Sequence, residues 1–153
     1  MPLNIVLFEP EIPNNTGNIG RLALASGSKL HLVKPFGFEI DDTRLKRAGL
    51  DYWEHLEVII YDSINHFFEA NKHGQHIFLS SHGNKSYWDI PFKENTFLIF
   101  GKEYVGLPKN IKEAYTDQLY TIPIYNDKVR SLNLANAVGI VVYEGIKQQS
   151  QLK

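Results

Sequence analysis

Three polar segments of the chain hold residue types that could bind or transform a ligand. The first, Glu9–Arg21, combines two prolines and three asparagines with one cation, Arg21. The second, Gly101–Pro108, places two glycines around the carboxylate of Glu103. The third, Ile122–Asn136, contains several hydroxyl and amide side chains. Glycine allows a ligand to approach the main chain closely, and neutral hydrogen-bonding groups can orient an organic ligand without a metal.

Structural roles alone explain only part of these segments. Asn15 or Thr16 could cap the helix that follows them, and Ser131 or Asn133 could cap the last helix of the chain. Arg21 lies in the first turns of its helix, where a cation opposes the helix dipole, so a role in holding phosphate or orienting a substrate is favoured. The glycine turns of the second segment do not account for the carboxylate of Glu103.

A basic cluster with neighbouring aromatic residues could bind nucleic acid. It comprises Arg44, Lys46 and Arg47, followed by Tyr52 and Trp53. Cations could hold phosphates while an aromatic ring stacks on a base. Composition alone favours the other interpretation, a solvated helix face with the aromatic rings packed in the core. The net charge of −1 gives no support to a general polyelectrolyte binder, so positive charge for RNA binding must be local.

Familiar nucleotide and metal motifs do not occur in the chain. The dinucleotide-binding pattern G-x-G-x-x-G does not occur after the first apolar run. A P-loop would need glycine at Thr96 and a hydroxyl at Glu103. The chain has 6 histidines but no H-E-x-x-H, and it has no cysteine. We therefore expect no metal site, and a dinucleotide-binding, kinase or NTPase function is disfavoured.

Short, nearly continuous apolar runs alternate with helical stretches, which predicts a mostly parallel sheet flanked by helices. The predicted strands are Leu3–Phe8, Leu30–Val33, Val58–Tyr61, Ile77–Ser80, Thr96–Phe100 and Leu119–Ile122. The predicted helices are Thr16–Ser26, Asp42–Ala48, Ile64–Asn71, Lys109–Ala114 and Leu132–Gln149. Because the chain has 153 residues and no repeat or linker, we expect one α/β domain over residues 1–153.

The last predicted helix has more apolar surface than one side can bury. Apolar residues recur at three- and four-residue steps from Leu134 to Ile146, and Ala137 and Ile140 widen this stripe. A partner subunit is one way to cover the excess.

The location of the protein is expected to be cytoplasmic. The start of the chain has no basic flank followed by a long apolar segment, so neither export nor membrane insertion is expected. The absence of cysteine fits a reducing compartment.

The three segments, taken in order, resemble the three motifs of the SPOUT methyltransferase superfamily. The matching patterns are P-x-N-x-G-N-x-x-R at 13–21, F-G-K-E-x-x-G-L-P at 100–108 and R-S-L-N-L-A-N-A-V at 130–138. The resemblance covers nearly the whole chain, and residues 45–53 also resemble the minimal, TrmL- or YibK-like members. Such enzymes methylate the ribose 2′-hydroxyl of the wobble nucleotide in certain leucine tRNAs.

The resemblance implies a C-terminal deep trefoil knot, an obligate homodimer and S-adenosylmethionine as methyl donor, without a metal. The donor would lie in the knot against main chain and side chains of the strand ends and loops. The residues implied in its binding are Leu79, Gly101, Glu103, Ile122, Ser131, Leu132 and Asn133.

The same resemblance places Arg21 at the reacting hydroxyl, with Asn18 and Tyr143 nearby. A guanidinium stays protonated, so we expect Arg21 to position the hydroxyl or stabilise the developing alkoxide instead of acting as a base. The tRNA anticodon stem-loop would contact a further set of residues, namely Asn15, Arg44, Lys46, Arg47 and Tyr52.

The chain departs from the family motifs at a few positions, and two other functions are compatible with its sequence. Gly20 and Ala135 stand at positions where variation is expected, and Lys128-Val129 lengthens the third segment. Methylation of another tRNA or ribosomal RNA nucleotide is an alternative within the enzyme class. A non-catalytic knotted module that binds S-adenosylmethionine or RNA is a further one.

Overall fold

The computed structural model describes residues 2–40, 43, 47 and 52–151. Its strands are β1 (Asn4–Phe8), β2 (Lys29–Val33), β3 (Val58–Tyr61), β4 (Gln75–Leu79), β5 (Lys85–Ser86), β6 (Thr96–Phe100) and β7 (Leu119–Thr121). Its helices are α1 (Pro13–Ser26), α2 (Ile64–Ala70), α3 (Lys109–Ala114) and α4 (Leu134–Gln151). The helix predicted over Asp42–Ala48 lies outside the described residues, except at Thr43 and Arg47.

The described strands form one sheet in the order β3-β2-β1-β6-β4-β7-β5. Every neighbouring pair in this sheet is parallel, so the predicted parallel α/β fold is confirmed. The central strands β1 and β6 are buried along their whole length, which explains their unbroken apolar sequences.

Helices pack on both faces of the sheet, and the side chains of alternate strand residues lie in two separate hydrophobic cores. Ile5 and Leu7 of β1 point to a core that includes Ile19 of α1 and Val141 of α4. Val6 and Phe8 point to the opposite core, together with Phe67 of α2 and Ile111 of α3. This alternation follows from the two-residue period of a strand. Each fully buried aliphatic or aromatic side chain stabilises the fold by roughly 1.5–3 kcal/mol.

Helix α1 begins earlier than the sequence predicts. It starts at Pro13, with Pro at the first helical position, and Asn15 and Thr16 are buried inside its first turns. The prediction that Asn15 or Thr16 caps this helix is therefore wrong. Proline is favoured at the first position because its fixed φ suits a helix and its missing N–H would have no helical partner.

The last helix has a cap of the kind that the sequence predicts. Asn133 lies directly before α4, and its Oδ1 accepts a hydrogen bond from the Asn136 N–H at 3.2 Å. The main-chain oxygen of Asn133 also accepts the Ala137 N–H at 2.9 Å. Asn133, the alternative to Ser131, is thus the capping residue.

No helix among the described residues is long and apolar enough to cross a bilayer.

Candidate functional site

A cavity of about 740 Å³ lies at the carboxyl ends of β4, β6 and β7. Most of its lining comes from four chain segments, 79–82, 100–107, 121–124 and 130–134, and Asn15, Lys112 and Ala137 complete it. Loops at the carboxyl ends of parallel strands are the usual ligand sites of α/β proteins, and this volume suits an organic ligand of cofactor size.

The structure brings together all the residues that the sequence predicts to bind the methyl donor. The lining includes Leu79, Gly101, Glu103, Ile122, Ser131, Leu132 and Asn133. Ser80, Ser81 and His82 follow β4 and line the same cavity, although they were not predicted to do so. They could have been found by the criterion that identified the other loops, since they too follow an apolar strand.

The loop after β6 folds back tightly upon itself at Gly101. A Cβ added to Gly101 would overlap the main chain of Gly106 and Leu107, so only glycine fits. The Gly106 N–H donates a hydrogen bond to the Lys102 oxygen at 2.8 Å, which closes the loop. This closure keeps main-chain groups at the cavity wall.

Glu103 connects this loop to the beginning of α1. Its carboxylate is buried and accepts hydrogen bonds from the Glu11 N–H at 2.9 Å and the Ile12 N–H at 3.3 Å. A carboxylate at a helix N-terminus satisfies free amides and interacts favourably with the helix dipole. Glu103 therefore lines the cavity, but both of its carboxylate oxygens accept hydrogen bonds from the main chain ahead of α1.

A second connection joins the first and third polar segments. Asn133 Nδ2 donates a hydrogen bond to Asn15 Oδ1 at 3.1 Å. Both residues line the cavity, and Asn15 is nearly fully buried. Asn15, predicted to contact RNA, thus holds the wall of the cavity through this bond.

Arg21 lies on the exposed face of α1. Its Cζ lies 4.9 Å from the centre of the Tyr52 ring, a cation–π contact. Tyr52 was predicted to contact RNA, and the structure shows its ring against Arg21.

Gly20 allows the segment that carries Tyr52 to approach α1. A Cβ on Gly20 would lie 2.7 Å from Trp53 Cζ3 and 3.3 Å from Leu56 Cδ2. In this chain a side chain at position 20 would displace Trp53. Trp53 itself packs against the core, as the structural interpretation of the aromatic pair predicted.

The remaining predicted residues lie away from the cavity lining or outside the described residues. Arg44 and Lys46 fall outside the described residues, and Arg47 is exposed. Asn18 is exposed on α1 and Tyr143 on α4. Neither they nor Arg21 are among the described residues that line the cavity of the same chain.

The most buried histidine belongs to the fold, not to the cavity. His31 Nδ1 and Tyr61 Oη lie 2.8 Å apart, and His31 Nε2 and Asn4 Oδ1 lie 2.9 Å apart. Burial, aided by the charge of Lys29, lowers the pKa of His31 to about 4. Within the part of the chain that the structure describes, no three His, Cys, Asp or Glu side chains are grouped so that they could hold a metal ion.

Fold and cavity together define an α/β protein with its ligand site in tightly folded loops at the carboxyl edge of a parallel sheet. Residues 2–143 match the SpoU rRNA Methylase family, and the chain belongs to that family. The prediction of an RNA methyltransferase is confirmed.

Relatives that match nearly the full chain support this assignment. The chain is 44% identical to the tRNA (cytidine(34)-2′-O)-methyltransferase of Escherichia coli (strain K12), and the match covers 95% of this chain and 93% of that protein. A solved structure described as "Structural insights into the 2-OH methylation of C/U34 on tRNA" is 41% identical with a TM-score of 0.92, and 97% of each chain is covered.

A more distant structure contains the cofactor. The SpoU methyltransferase AviRb from Streptomyces viridochromogenes, in complex with AdoMet, is 25% identical with a TM-score of 0.83. The match covers 97% of this chain and 58% of that one.

Proposed function

We propose that this enzyme transfers a methyl group from S-adenosylmethionine to the ribose 2′-hydroxyl of nucleotide 34, a cytidine or modified uridine, in leucine tRNAs. The observation that carries the proposal is the meeting of the second and third polar segments, with Asn15 of the first, at one cavity. The near-complete match in both directions to a tRNA (cytidine(34)-2′-O)-methyltransferase supports the choice of tRNA and of position 34.

The cavity fits S-adenosylmethionine in size and in the chemistry of its walls. Leu79, Ile122 and Leu132 offer apolar surface for an adenine ring, and the closed loop after Gly101 offers main-chain hydrogen-bonding groups. When bound, the cofactor supplies an electrophilic methyl group on a sulfonium centre. Asn133, fixed by Asn15 and by the first turn of α4, would hold the third loop against it.

We further propose that the active enzyme is a homodimer in which each cavity is completed by the partner. This proposal explains why Asn18, Arg21 and Tyr143 are exposed and are not among the described residues lining the cavity of their own chain. Helices α1 and α4 pack together, and Ile140 of α4 is 38% exposed. An exposed apolar side chain beside the catalytic candidates is suited to a subunit contact.

In this proposal Arg21 acts on the acceptor side of the reaction. Methyl transfer requires the hydroxyl oxygen to lie in line with the methyl carbon, so positioning accounts for much of the rate. The guanidinium of Arg21 would orient the ribose hydroxyl or an adjacent phosphate and stabilise negative charge that develops on the oxygen. Asn18 and Tyr143 would help to hold the ribose, and the proton would leave to phosphate or water.

The wider arrangement follows from the same proposal. Arg47, which is exposed, would contact phosphates of the anticodon stem-loop together with Arg44 and Lys46. Residues 1–153 would form a single domain whose C-terminal part threads a trefoil knot. A Cβ on Gly83 would lie 2.7 Å from the carbonyl carbon of Tyr120, so the loop after β4 packs closely on β7. The expected location of an enzyme with this tRNA substrate is the cytoplasm.

The decisive experiment incubates the purified protein with radiolabelled S-adenosylmethionine and tRNA from cells that lack the enzyme. We expect label in the ribose of nucleotide 34 of leucine tRNAs, mapped by nuclease digestion and nucleoside analysis. Label only in ribosomal RNA, offered in parallel, would contradict the substrate assignment.

The variant Arg21→Ala separates an enzyme from a binding module. We expect loss of methyl transfer with unchanged affinity for S-adenosylhomocysteine, measured by calorimetry. A protein that binds this ligand but methylates no RNA, with Arg21 intact, would be a non-catalytic module. Loss of ligand binding in Arg21→Ala would instead contradict the acceptor-side role of Arg21.

A further inference from the structure

Two tyrosines beside the cavity are almost fully exposed to solvent. Tyr104 is 94% exposed in the loop after β6, and Tyr125 is 87% exposed in the loop after β7. Tyr104 lines the cavity itself, and Tyr125 follows the lining residue Ile124. Core packing does not explain rings with this degree of exposure, and large aromatic side chains are costly to leave in water.

The backbone at Tyr104 makes this ring more unusual. Tyr104 has a φ of 67°, in the left-handed region that favours glycine and, less strongly, asparagine. A hydrogen bond from the Gly106 N–H to the Lys102 oxygen joins the two ends of the loop that contains Tyr104. A bulky side chain is unfavourable in this conformation, and the 94% exposure of Tyr104 leaves it almost no packing against the part of the chain that the structure describes. Its benefit is therefore expected to come from something outside the chain.

The charge around the two rings selects an anionic partner. Lys102 and Lys112 line the cavity, and Lys128 is exposed three residues after Tyr125. No carboxylate of the described residues lies within 4.0 Å of any of these three ammonium groups. Asp127 is the acidic residue of the exposed loop, and it stands between Tyr125 and Lys128 in a segment of otherwise neutral or basic residues.

We propose that Tyr104 and Tyr125, with Lys102, Lys112 and Lys128, form an RNA-binding surface at the mouth of the cavity, termed the rim surface. Its aromatic rings stack on unpaired nucleobases that flank the methylated nucleotide, and its ammonium groups contact their phosphates. Exposed rings interleaved with cations are the usual means of binding single-stranded nucleic acid. The proposal rests on the proposed function, because it takes an RNA loop as the occupant.

The position of the rim surface supports RNA over a protein partner. A ribose whose hydroxyl reaches the methyl donor must enter through the cavity mouth, so its neighbouring bases must pass the residues that border it. In an anticodon loop these bases are unpaired and can be splayed onto aromatic rings. A second copy of this chain is the competing occupant, and sedimentation velocity of the variants distinguishes it from RNA.

The test compares two tyrosine substitutions with conservative partners. Tyr104→Asn removes the ring but keeps a residue type that tolerates the left-handed conformation, and Tyr125→Ala removes the second ring. We expect each to weaken tRNA binding about tenfold, measured by fluorescence anisotropy in the presence of S-adenosylhomocysteine. Methyl transfer should show a raised KM for tRNA and a nearly unchanged kcat. Tyr104→Phe and Tyr125→Phe should bind as the unsubstituted enzyme does, because stacking needs the ring alone.

Two further variants control for charge and for general exposure. Lys128→Gln should lower the slope of log affinity against log salt by about 1, as expected for one lost phosphate contact. Trp88→Ala should leave tRNA binding unchanged, because Trp88 is 53% exposed but is not among the cavity-lining residues described.

Each contrary result overturns the rim surface without touching the proposed function. Wild-type tRNA affinity in Tyr104→Asn combined with Tyr125→Ala would exclude stacking. Weaker binding of S-adenosylhomocysteine would assign the rings to the cofactor. A shift to monomer in sedimentation velocity would assign them to a subunit contact. Failure of the proposed function is seen separately, as absence of methyl transfer to any tRNA by the unsubstituted enzyme.

Discussion

Asn133 Nδ2 donates to Asn15 Oδ1 at 3.1 Å and so joins two residues that are 118 positions apart in the chain. Asn15 belongs to the first turns of α1, and Asn133 caps α4. The bond therefore fixes the start of one helix against the start of another at the wall of the cavity.

Loss of this bond should lower stability and cofactor affinity together. We expect Asn133→Ala to reduce the free energy of unfolding by about 1–3 kcal/mol, because it removes a cap and leaves the amide of Asn15 without its partner. Urea unfolding measures the change, and the double variant with Asn15→Ala gives the coupling energy. Asn14→Ala, an exposed position on the same helix, serves as control and should change stability little. Strict additivity of the two single changes would contradict an energetic role for the bond.

The contact between Arg21 and Tyr52 predicts a positioning role for the tyrosine. Tyr52→Leu should lower the rate of methyl transfer several-fold, because an exposed cation–π contact contributes roughly 0.5–1 kcal/mol. Tyr52→Phe keeps the ring face and should retain most of the activity. Single-turnover kinetics measures the rate, and S-adenosylhomocysteine affinity should be the same in both variants. Equal loss in Leu and Phe variants would show that the hydroxyl, not the ring face, matters.

Two glycines in helices offer a matched pair for testing the packing of α1. Gly20→Ala should destabilise the fold by about 1–3 kcal/mol through overpacking against Trp53, more than the gain in helix propensity offsets. It should also lower the rate of methyl transfer, because displacement of Trp53 would shift the neighbouring Tyr52 away from Arg21. Gly139→Ala in α4 is the control, because its Cβ would lie 3.7 Å from Leu22 Cδ2, an ordinary contact. Thermal melting of both variants decides whether position 20 differs from position 139.

Burial of His31 predicts a loss of stability in mild acid. The pKa of His31 is lowered from 6.5 to about 4, so above pH 6.5 the ring is neutral in both the folded and the unfolded chain. Between these values the unfolded chain binds a proton that the folded chain does not, and unfolding becomes easier as pH falls. The loss levels off below pH 4, at about 3 kcal/mol. Burial also lowers the pKa of His76, which acts in the same direction.

The variant His31→Gln isolates this effect. It should be less stable at neutral pH, because Tyr61 and Asn4 lose their partner, and its stability should fall less steeply from pH 7 to pH 4. The measurement is urea unfolding at several pH values. Parallel pH profiles for the variant and the unsubstituted protein would show that His31 does not cause the dependence.

Most strands of the sheet could be predicted from the sequence because they are buried on both faces. Continuous apolar runs mark such strands, and the six predicted ones agree with the structure to within two residues at each end. The two-residue strand Lys85–Ser86 carries no apolar run and could not be found in this way. The donor-side residues were predicted from motifs, since loops after parallel strands converge at one edge.

Relationships between distant residues could not be predicted from the sequence. The partners of Glu103 lie 91 and 92 positions away, and no local pattern marks them. The same holds for Arg21, whose exposure and contact with Tyr52 depend on how the segment after β2 packs on α1. Gly20 looked like a variable position because the ring that needs its empty space comes from another part of the chain.

The carboxylate of Glu103 divides its loop into two parts that differ in their freedom to change. From Gly101 to Glu103 the spacing is set on one side by the close main-chain contact and on the other by the N–H groups ahead of α1. An insertion or deletion there would alter the helix start as well as the cavity. The side chains of Tyr104 and Val105 face solvent and take part in neither of these contacts. Side-chain variation that adapts the enzyme to a different RNA can therefore accumulate at these two positions without moving Gly101 or the start of α1.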